Sequence, residues 1–188
     1  MIATSHGFAP ILAEDTTLLV LGSMPGQASL QAQAYYAHPR NGFWPIVAAH
    51  LRAQHGVLLA DDFASRYAQL LGAGIGLWDV LAAAIRPGSL DAKIQKDGLV
   101  FNDFQAVFAE YSHISQIALN GQAAHRWFMR QVWPTLSVDQ QQRLHCHALP
   151  STSPAHAACS LSEKMQHWLP VLARARPECQ LESAGISV

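Results

Sequence analysis

Thr16-Thr17-Leu18-Leu19-Val20-Leu21, closed at once by Gly22-Ser23-Met24-Pro25-Gly26, is the stretch that decides the fold. A short apolar run without polar alternation reads as a strand buried on both faces, and the glycines and proline after it read as a tight loop. Strands of that kind belong to parallel sheets, which need crossover connections, usually helical. The pattern recurs at 75–81 (IGLWDVL), 114–119 (ISQIAL) and 143–149 (RLHCHAL). Between these runs the apolar spacing is helical. Phe43, Ile46, Val47 and Leu51 share a face beside Pro45, and Phe63, Tyr67, Leu70 and Leu71 share one behind Asp61 and Asp62. Phe104, Val107, Phe108 and Tyr111 form a third stripe, and Ala124, Trp127, Phe128 and Gln131 a fourth. Ser160 and Glu163 spell a capping box before Leu161, Met165, Trp168, Leu169 and Leu172, with Pro170 expected to kink or divide that helix.

Strands alternating with helices predict a three-layer α/β/α sandwich around a mostly parallel four-stranded sheet, with functional groups in the loops after the strands' carboxyl ends. Residues 1–188 are expected to form a single domain with its core at about 16–172 and a loosely ordered tail over 174–188.

Twelve basic and thirteen acidic residues give a formal charge of −1, which excludes a highly basic coating protein and leaves room for a local patch that meets a few phosphates. No apolar run approaches the roughly 20 residues of a spanning helix. No Lys or Arg precedes Arg40, so a soluble, cytoplasmic chain with no membrane partner is expected. Cys146, Cys159 and Cys179 are odd in number and lack a Cys-x-x-Cys pair, against both a disulfide framework and a sulfur-rich zinc site. His145 and His147 would share a strand face and could meet a metal with Cys159 or His156. No complete ligand set of proper spacing appears, so packing is expected, with no metal and no cofactor.

Three segments could carry chemistry. The loop Gly22 to Gly26 is neither Gly-x-Ser-x-Gly nor a P-loop; it is either an ordinary strand-to-helix turn or a place where backbone N–H groups approach a ligand. Tyr35-Tyr36-Ala37-His38-Pro39-Arg40-Asn41-Gly42-Phe43-Trp44 gathers aromatics, an imidazole, a guanidinium and a carboxamide able to stack a base, position a water and meet a phosphate. Phe43 and Trp44 are assigned to packing, Tyr36 and Asn41 to chemistry, and His38 and Arg40 to phosphate contact. His147-Ala148-Leu149-Pro150-Ser151-Thr152-Ser153-Pro154-Ala155-His156 follows the last strand, stiffened by prolines, with hydroxyls that can donate to phosphate oxygens.

In this order the segments resemble the uracil-DNA glycosylase superfamily from about residue 16 to 172, and their arrangement looks like that of its mismatch-specific branch. That branch carries a polar residue in the first loop to hold the attacking water; Met24 stands there in this sequence. Gly-Ser-Met-Pro-Gly, Tyr-Tyr-Ala-His-Pro-Arg-Asn and Leu-Pro-Ser-Thr-Ser-Pro-Ala together look instead like the hypoxanthine-DNA glycosylase branch. There the resemblance implies that Asn41 takes over the water. The stretch 75–94, with Trp78, Asp79, Arg86, Pro87, Gly88, Ser89, Leu90 and Asp91, also looks family-like and would wall the base pocket.

The implied activity is hydrolysis of the N-glycosidic bond of a flipped, deaminated base in DNA, hypoxanthine first, with uracil and xanthine sharing its carbonyl edge. On this reading Tyr36 stacks on the base, and Gly22, Ser23, Met24, Pro25 and Gly26 contact its edge beside Trp78. Asp79 either accepts from a base N–H or braces the strand end. Ser151, Thr152 and Ser153 pinch the backbone, and His156 either joins them or is an ordinary loop residue. No leucine or phenylalanine offers itself as a wedge. The only lysines, Lys93, Lys96 and Lys164, fall outside these segments, so a monofunctional enzyme that leaves an intact abasic site is expected, acting as a monomer. A phosphate-ester hydrolase would need carboxylates and metal ligands that are hard to find. A non-catalytic binder of damaged bases, inactive for want of a polar residue at position 24, is the other alternative.

Overall fold

The computed structural model describes residues 4–85 and 98–176. Its centre is β2 (Leu18–Gly22), every residue of which is buried. It pairs in parallel with β3 (Ile75–Asp79) on one side and β6 (Gln116–Asn120) on the other, and β6 pairs in parallel with β7 (His145–Leu149), giving the order β3-β2-β6-β7. Because side chains alternate along a strand, β2 feeds two cores. Leu18 and Val20 join Ile75, Leu77 and Ala118 under α2 (Phe43–His55), α3 (Phe63–Gly72) and α7 (Leu161–Leu172). Leu19 and Leu21 join Trp78, Ile117 and Leu119 under α4 (Phe104–Glu110) and α5 (Gln122–Trp127). These are the three layers expected from the alternation of strands and helices. Phe43 and Trp44 are buried as packing residues.

Several details depart from the sequence reading. The run 75–81 does not stay in one strand. After Asp79 the Val80 amide donates to Gly22 O at 2.8 Å and the Leu81 amide to Ser23 O at 3.1 Å. The chain then enters a second, antiparallel sheet, where β4 (Leu81–Ile85) lies between β1 (Thr4–His6) and β5 (Val100–Phe101). Both strands are largely buried, so an unbroken apolar run carries no mark of the change. Two short helices without a strong apolar stripe, α1 (Gln27–Ala32) and α6 (Val138–Arg143), add to those expected. The fourth stripe continues beyond α5 as a π-helical turn, Phe128–Val132. Pro170 does not divide α7, which runs on to Leu172; it sits in the last turn, exposed, where its missing N–H removes one bond near the end. Main-chain bonds between Ile11 and Leu77, at 2.9 and 3.0 Å, cover the outer edge of β3.

Arg86 to Asp91, Lys93, Lys96, Cys179 and the tail from 177 lie outside the described residues. Of the part of the tail that is described, the Arg176 amide donates to Thr17 Oγ1 at 2.9 Å. Among the described residues no helix is long and apolar enough to cross a membrane.

His50 on α2 is 3% exposed and its Nε2 has no hydrogen-bond partner among the described residues. Burial, and secondarily His55, pushes its imidazole down to about 4. A depressed histidine contributes stability that is present above its ordinary value near 6.5 and lost as pH falls toward 4. Urea unfolding across that window should therefore show a loss of roughly 1–2 kcal/mol in the wild type that His50→Leu flattens. An equal acid slope in both proteins would remove His50 as its source.

Candidate active site

The carboxyl ends of all four parallel strands open into one cavity of about 610 Å³, within the roughly 300–1,000 Å³ of small-ligand pockets. β2 contributes the turn from Gly22 to Gln27, β3 contributes Asp79, β6 Asn120, and β7 the loop Ser151 to Ala155. The segment carrying Tyr35, Tyr36, His38, Arg40 and Asn41 closes over them.

The floor is built by close packing. Gly22 and Asp79 are register partners at the ends of β2 and β3. A Cβ on Gly22 would collide with Asp79 Oδ1 and stand 3.4 Å from the Tyr36 hydroxyl, so only glycine leaves room for the carboxylate and the phenol. Asp79 is buried, and its main-chain carbonyl accepts from Asn102 Nδ2 at 2.8 Å. The strand end is thus braced through the backbone while Asp79 also lines the cavity.

Tyr36 adopts φ 56°, the left-handed region that a tyrosine enters only under constraint. Its ring lies on Phe43 with centroids 4.1 Å apart and planes 30° from parallel. Phe43 is itself fully buried, so the aromatic wall is rigidly backed. Burial first and the Asp79 carboxylate second push the Tyr36 phenol well above its ordinary value, with the Asn120 amide pulling the other way. Burial and the same carboxylate raise Tyr35 as well.

Asn120 is the residue that the sequence reading missed. Its Oδ1 accepts from the Thr152 amide at 2.9 Å, and its Nδ2 donates to Thr152 Oγ1 at 2.9 Å. Both ends of the carboxamide are therefore fixed, with one N–H and one lone pair left over. The signal was available: Asn120-Gly121 directly follows the predicted strand 114–119, at the sheet end where ligands bind. The next residue, Gly121, has φ 95°, and a Cβ there would approach Ser151 Cβ to 2.8 Å, so the loops after β6 and β7 touch.

Asn41 stands at the rim. Its Oδ1 accepts from the Phe43 amide at 3.0 Å, which ties the carboxamide to the start of α2 and leaves an oxygen lone pair and the NH₂ group. His38 Nδ1 accepts from the Arg40 amide at 3.1 Å, and Arg40 is exposed. Met24 borders the cavity while packing with Leu81 and Ala84. Ser23, Pro25, Gly26, Ser151 and Ser153 also line it. The Ser151 and Ser153 hydroxyls accept from the Ser153 and Ala155 amides at 3.2 Å, which shapes the loop.

Two assignments need correction. Trp78 does not line the cavity: being next to Asp79 on a strand it points to the opposite face, where it packs on Phe104 at 4.9 Å and donates to Phe8 O at 3.1 Å. Thr152 is 1% exposed with its hydroxyl engaged by Asn120, so it orients the floor amide rather than offering a hydroxyl to phosphate. His156 lies outside the main cavity, in an adjoining hollow of about 370 Å³. His147 Nε2 is 2.8 Å from Gln116 Oε1, and among the described residues no three His, Cys, Asp or Glu side chains gather as a metal cluster.

A flat aromatic wall, an acceptor carboxylate and a clamped carboxamide suit a planar heterocycle bearing N–H and C=O on one edge. The family model described as Uracil DNA glycosylase superfamily matches residues 9–174. A protein of Methanosarcina barkeri named hypoxanthine DNA glycosylase is 33% identical over 116 residues, covering 62% of this chain and 70% of the relative. One of the same name from Methanosarcina acetivorans is 36% identical over 120 residues, covering 63% and 72%. A solution NMR structure from Methanosarcina acetivorans, described as a candidate uracil DNA glycosylase, superimposes with a TM-score of 0.73 at 30% identity, covering 90% of this chain and 97% of that one.

Raised phenols in the folded state contribute stability that is full below about pH 10 and drains away as pH rises beyond it, since only the unfolded chain ionises there. Tyr35 and Tyr36 should accordingly form phenolate only together with loss of the circular dichroism signal, and Tyr36→Phe should make the alkaline loss shallower. Phenolate absorbance from all four tyrosines before any unfolding would contradict the burial assigned to this wall.

Proposed function

Since the chain belongs to the uracil DNA glycosylase superfamily, we propose that it is a DNA glycosylase that hydrolyses the N-glycosidic bond of a deaminated base, hypoxanthine first, and leaves an intact abasic site. The observation that supports this reading is the joining, in one cavity, of the Tyr36 ring, the Asp79 carboxylate and the Asn120 amide, with Asn41 at the rim.

An extruded base stacks on Tyr36, whose other support is Phe43. Hypoxanthine presents a ring N–H beside a carbonyl. The N–H suits the acceptor oxygens of Asp79 and the carbonyl suits the remaining N–H of Asn120. Adenine reverses the pair, offering a bare ring nitrogen where the carboxylate sits, so the floor disfavours adenine, the base whose deamination yields hypoxanthine. Uracil and xanthine carry the same N–H and C=O sequence and are the next substrates. The backbone of the Gly22 to Gly26 turn lies against the base edge.

Bond breaking needs charge on the departing base to be stabilised and a water aimed at the anomeric carbon as the sugar becomes oxocarbenium-like. Asn41 supplies the aim. Its carboxamide is a poor proton acceptor, and the hydrogen bond to the Phe43 amide holds it in one orientation, so it contributes alignment more than general-base catalysis. Arg40, His38, Ser151 and Ser153 surround the mouth, where the phosphodiester backbone must pass. Lys164 lines the adjoining hollow rather than the main cavity and spends its ammonium on the Ser153 and His156 carbonyls, in keeping with hydrolysis by water rather than an amine nucleophile.

Duplexes labelled at inosine, uracil, xanthine or adenine test the proposal. Free hypoxanthine should appear, and strand breaks only after alkali or heat. Asn41→Ala should lower the single-turnover rate by about 100-fold or more while duplex affinity stays within about threefold. A wild-type rate in that variant would remove Asn41 from the mechanism. Binding without release of any base would instead leave a damaged-base binding module, the reading that Met24 invites. Separately, Tyr36→Ala should weaken capture of a non-cleavable inosine analogue by about 1–3 kcal/mol, measured by titration; unchanged affinity would contradict the stacking role.

A further inference from the structure

We propose that Lys164, on α7 and outside the main cavity, is a positioning residue that holds the loop after β7 in the shape on which both carboxamides of the site depend. Lys164 is 6% exposed, and its Nζ donates to His156 O at 3.2 Å and Ser153 O at 3.5 Å. A nearly buried ammonium is costly unless hydrogen-bonded, and here its acceptors are main-chain carbonyls of an irregular segment rather than a carboxylate.

Four residues further along α7, on the same face, Trp168 is fully buried and its Nε1 donates to Pro150 O at 2.9 Å. The helix therefore grips the loop at both ends, with tryptophan at its entry and lysine at its exit. Between these grips lies Thr152. Its amide and hydroxyl fix Asn120, and its carbonyl accepts from the Gly42 amide at 2.9 Å, next to Asn41. Displacement of the loop would thus reach the floor amide and the rim amide together. Such placement errors are what slow a reaction that relies on alignment. The kinetic part of this inference rests on the proposed glycosylase activity; the structural part does not.

Lys164→Met keeps the stem and removes the ammonium. In that variant, with circular dichroism unchanged, the amides of Thr152 and Gly42 should exchange about tenfold faster or more, while Val20 and Ala118 in the sheet keep wild-type rates. Single-turnover hypoxanthine release at saturating enzyme should slow about tenfold, with duplex affinity within about threefold, and Lys164→Arg should recover a substantial part of the rate. Wild-type exchange at Thr152 and Gly42, or equal acceleration throughout the sheet, overturns the proposal, since the first denies the strap and the second makes it a matter of global stability. If Lys164→Met does not fold, Lys164→Gln carries the same measurements. If the wild type releases no base, the glycosylase reading fails, and amide exchange still decides whether Lys164 holds the loop.

Discussion

Asp79 packs its carboxylate onto bare strand backbone at Gly22, and the remainder of the cavity is arranged around that contact. Two adjacent parallel strands can end with an acid on one and no side chain on the other only if the space between them is filled, and the Tyr36 hydroxyl helps to fill it. The cost is visible at Tyr36, whose backbone is held in a left-handed conformation, and the aromatic stack on Phe43 holds it there. A buried acid beneath a buried phenol gives a floor with fixed dipoles, shielded from bulk solvent. In such surroundings hydrogen bonds discriminate more sharply than in solvent.

Thr152 plays the matching part on the other side. Its amide, hydroxyl and carbonyl bond to Asn120 and Gly42, so one nearly inaccessible residue joins β6, the loop after β7 and the start of α2. The rim and the floor are consequently parts of one hydrogen-bonded unit. Packing alone tolerates shifts of a few tenths of an ångström; directional bonds at both ends of a carboxamide do not.

The architecture was legible because it depends on periodicity. Continuous apolar strands, amphipathic helices and the capping box at Ser160 and Glu163 each follow from local spacing, and the structure contains them. The lining of the cavity was legible where motifs stand in loops, after strands at Gly22 to Gly26 and Ser151 and ahead of α2 at Tyr36 and Asn41. Trp78 was misplaced because parity, not proximity in sequence, decides which face a strand residue serves. Thr152 looked like a surface hydroxyl because nothing local announces a partner 32 residues away. Asn120 was within reach of the same strand-end rule, since it directly follows the apolar run 114–119, whereas the break between β3 and β4 was hidden by uniform apolarity.

The main-chain bridge between Ile11 and Leu77 has a bearing beyond the site. β3 is the last strand on its side of the parallel sheet and is wholly buried, with Ile75, Leu77 and Trp78 among its residues. Left bare, such a margin would be a template for another copy's strand, because its unsatisfied amides and carbonyls match any extended partner. The Ile11 main chain occupies the Leu77 amide and carbonyl within the same molecule. That margin is thereby paired at Leu77 within one molecule instead of being presented there as open backbone.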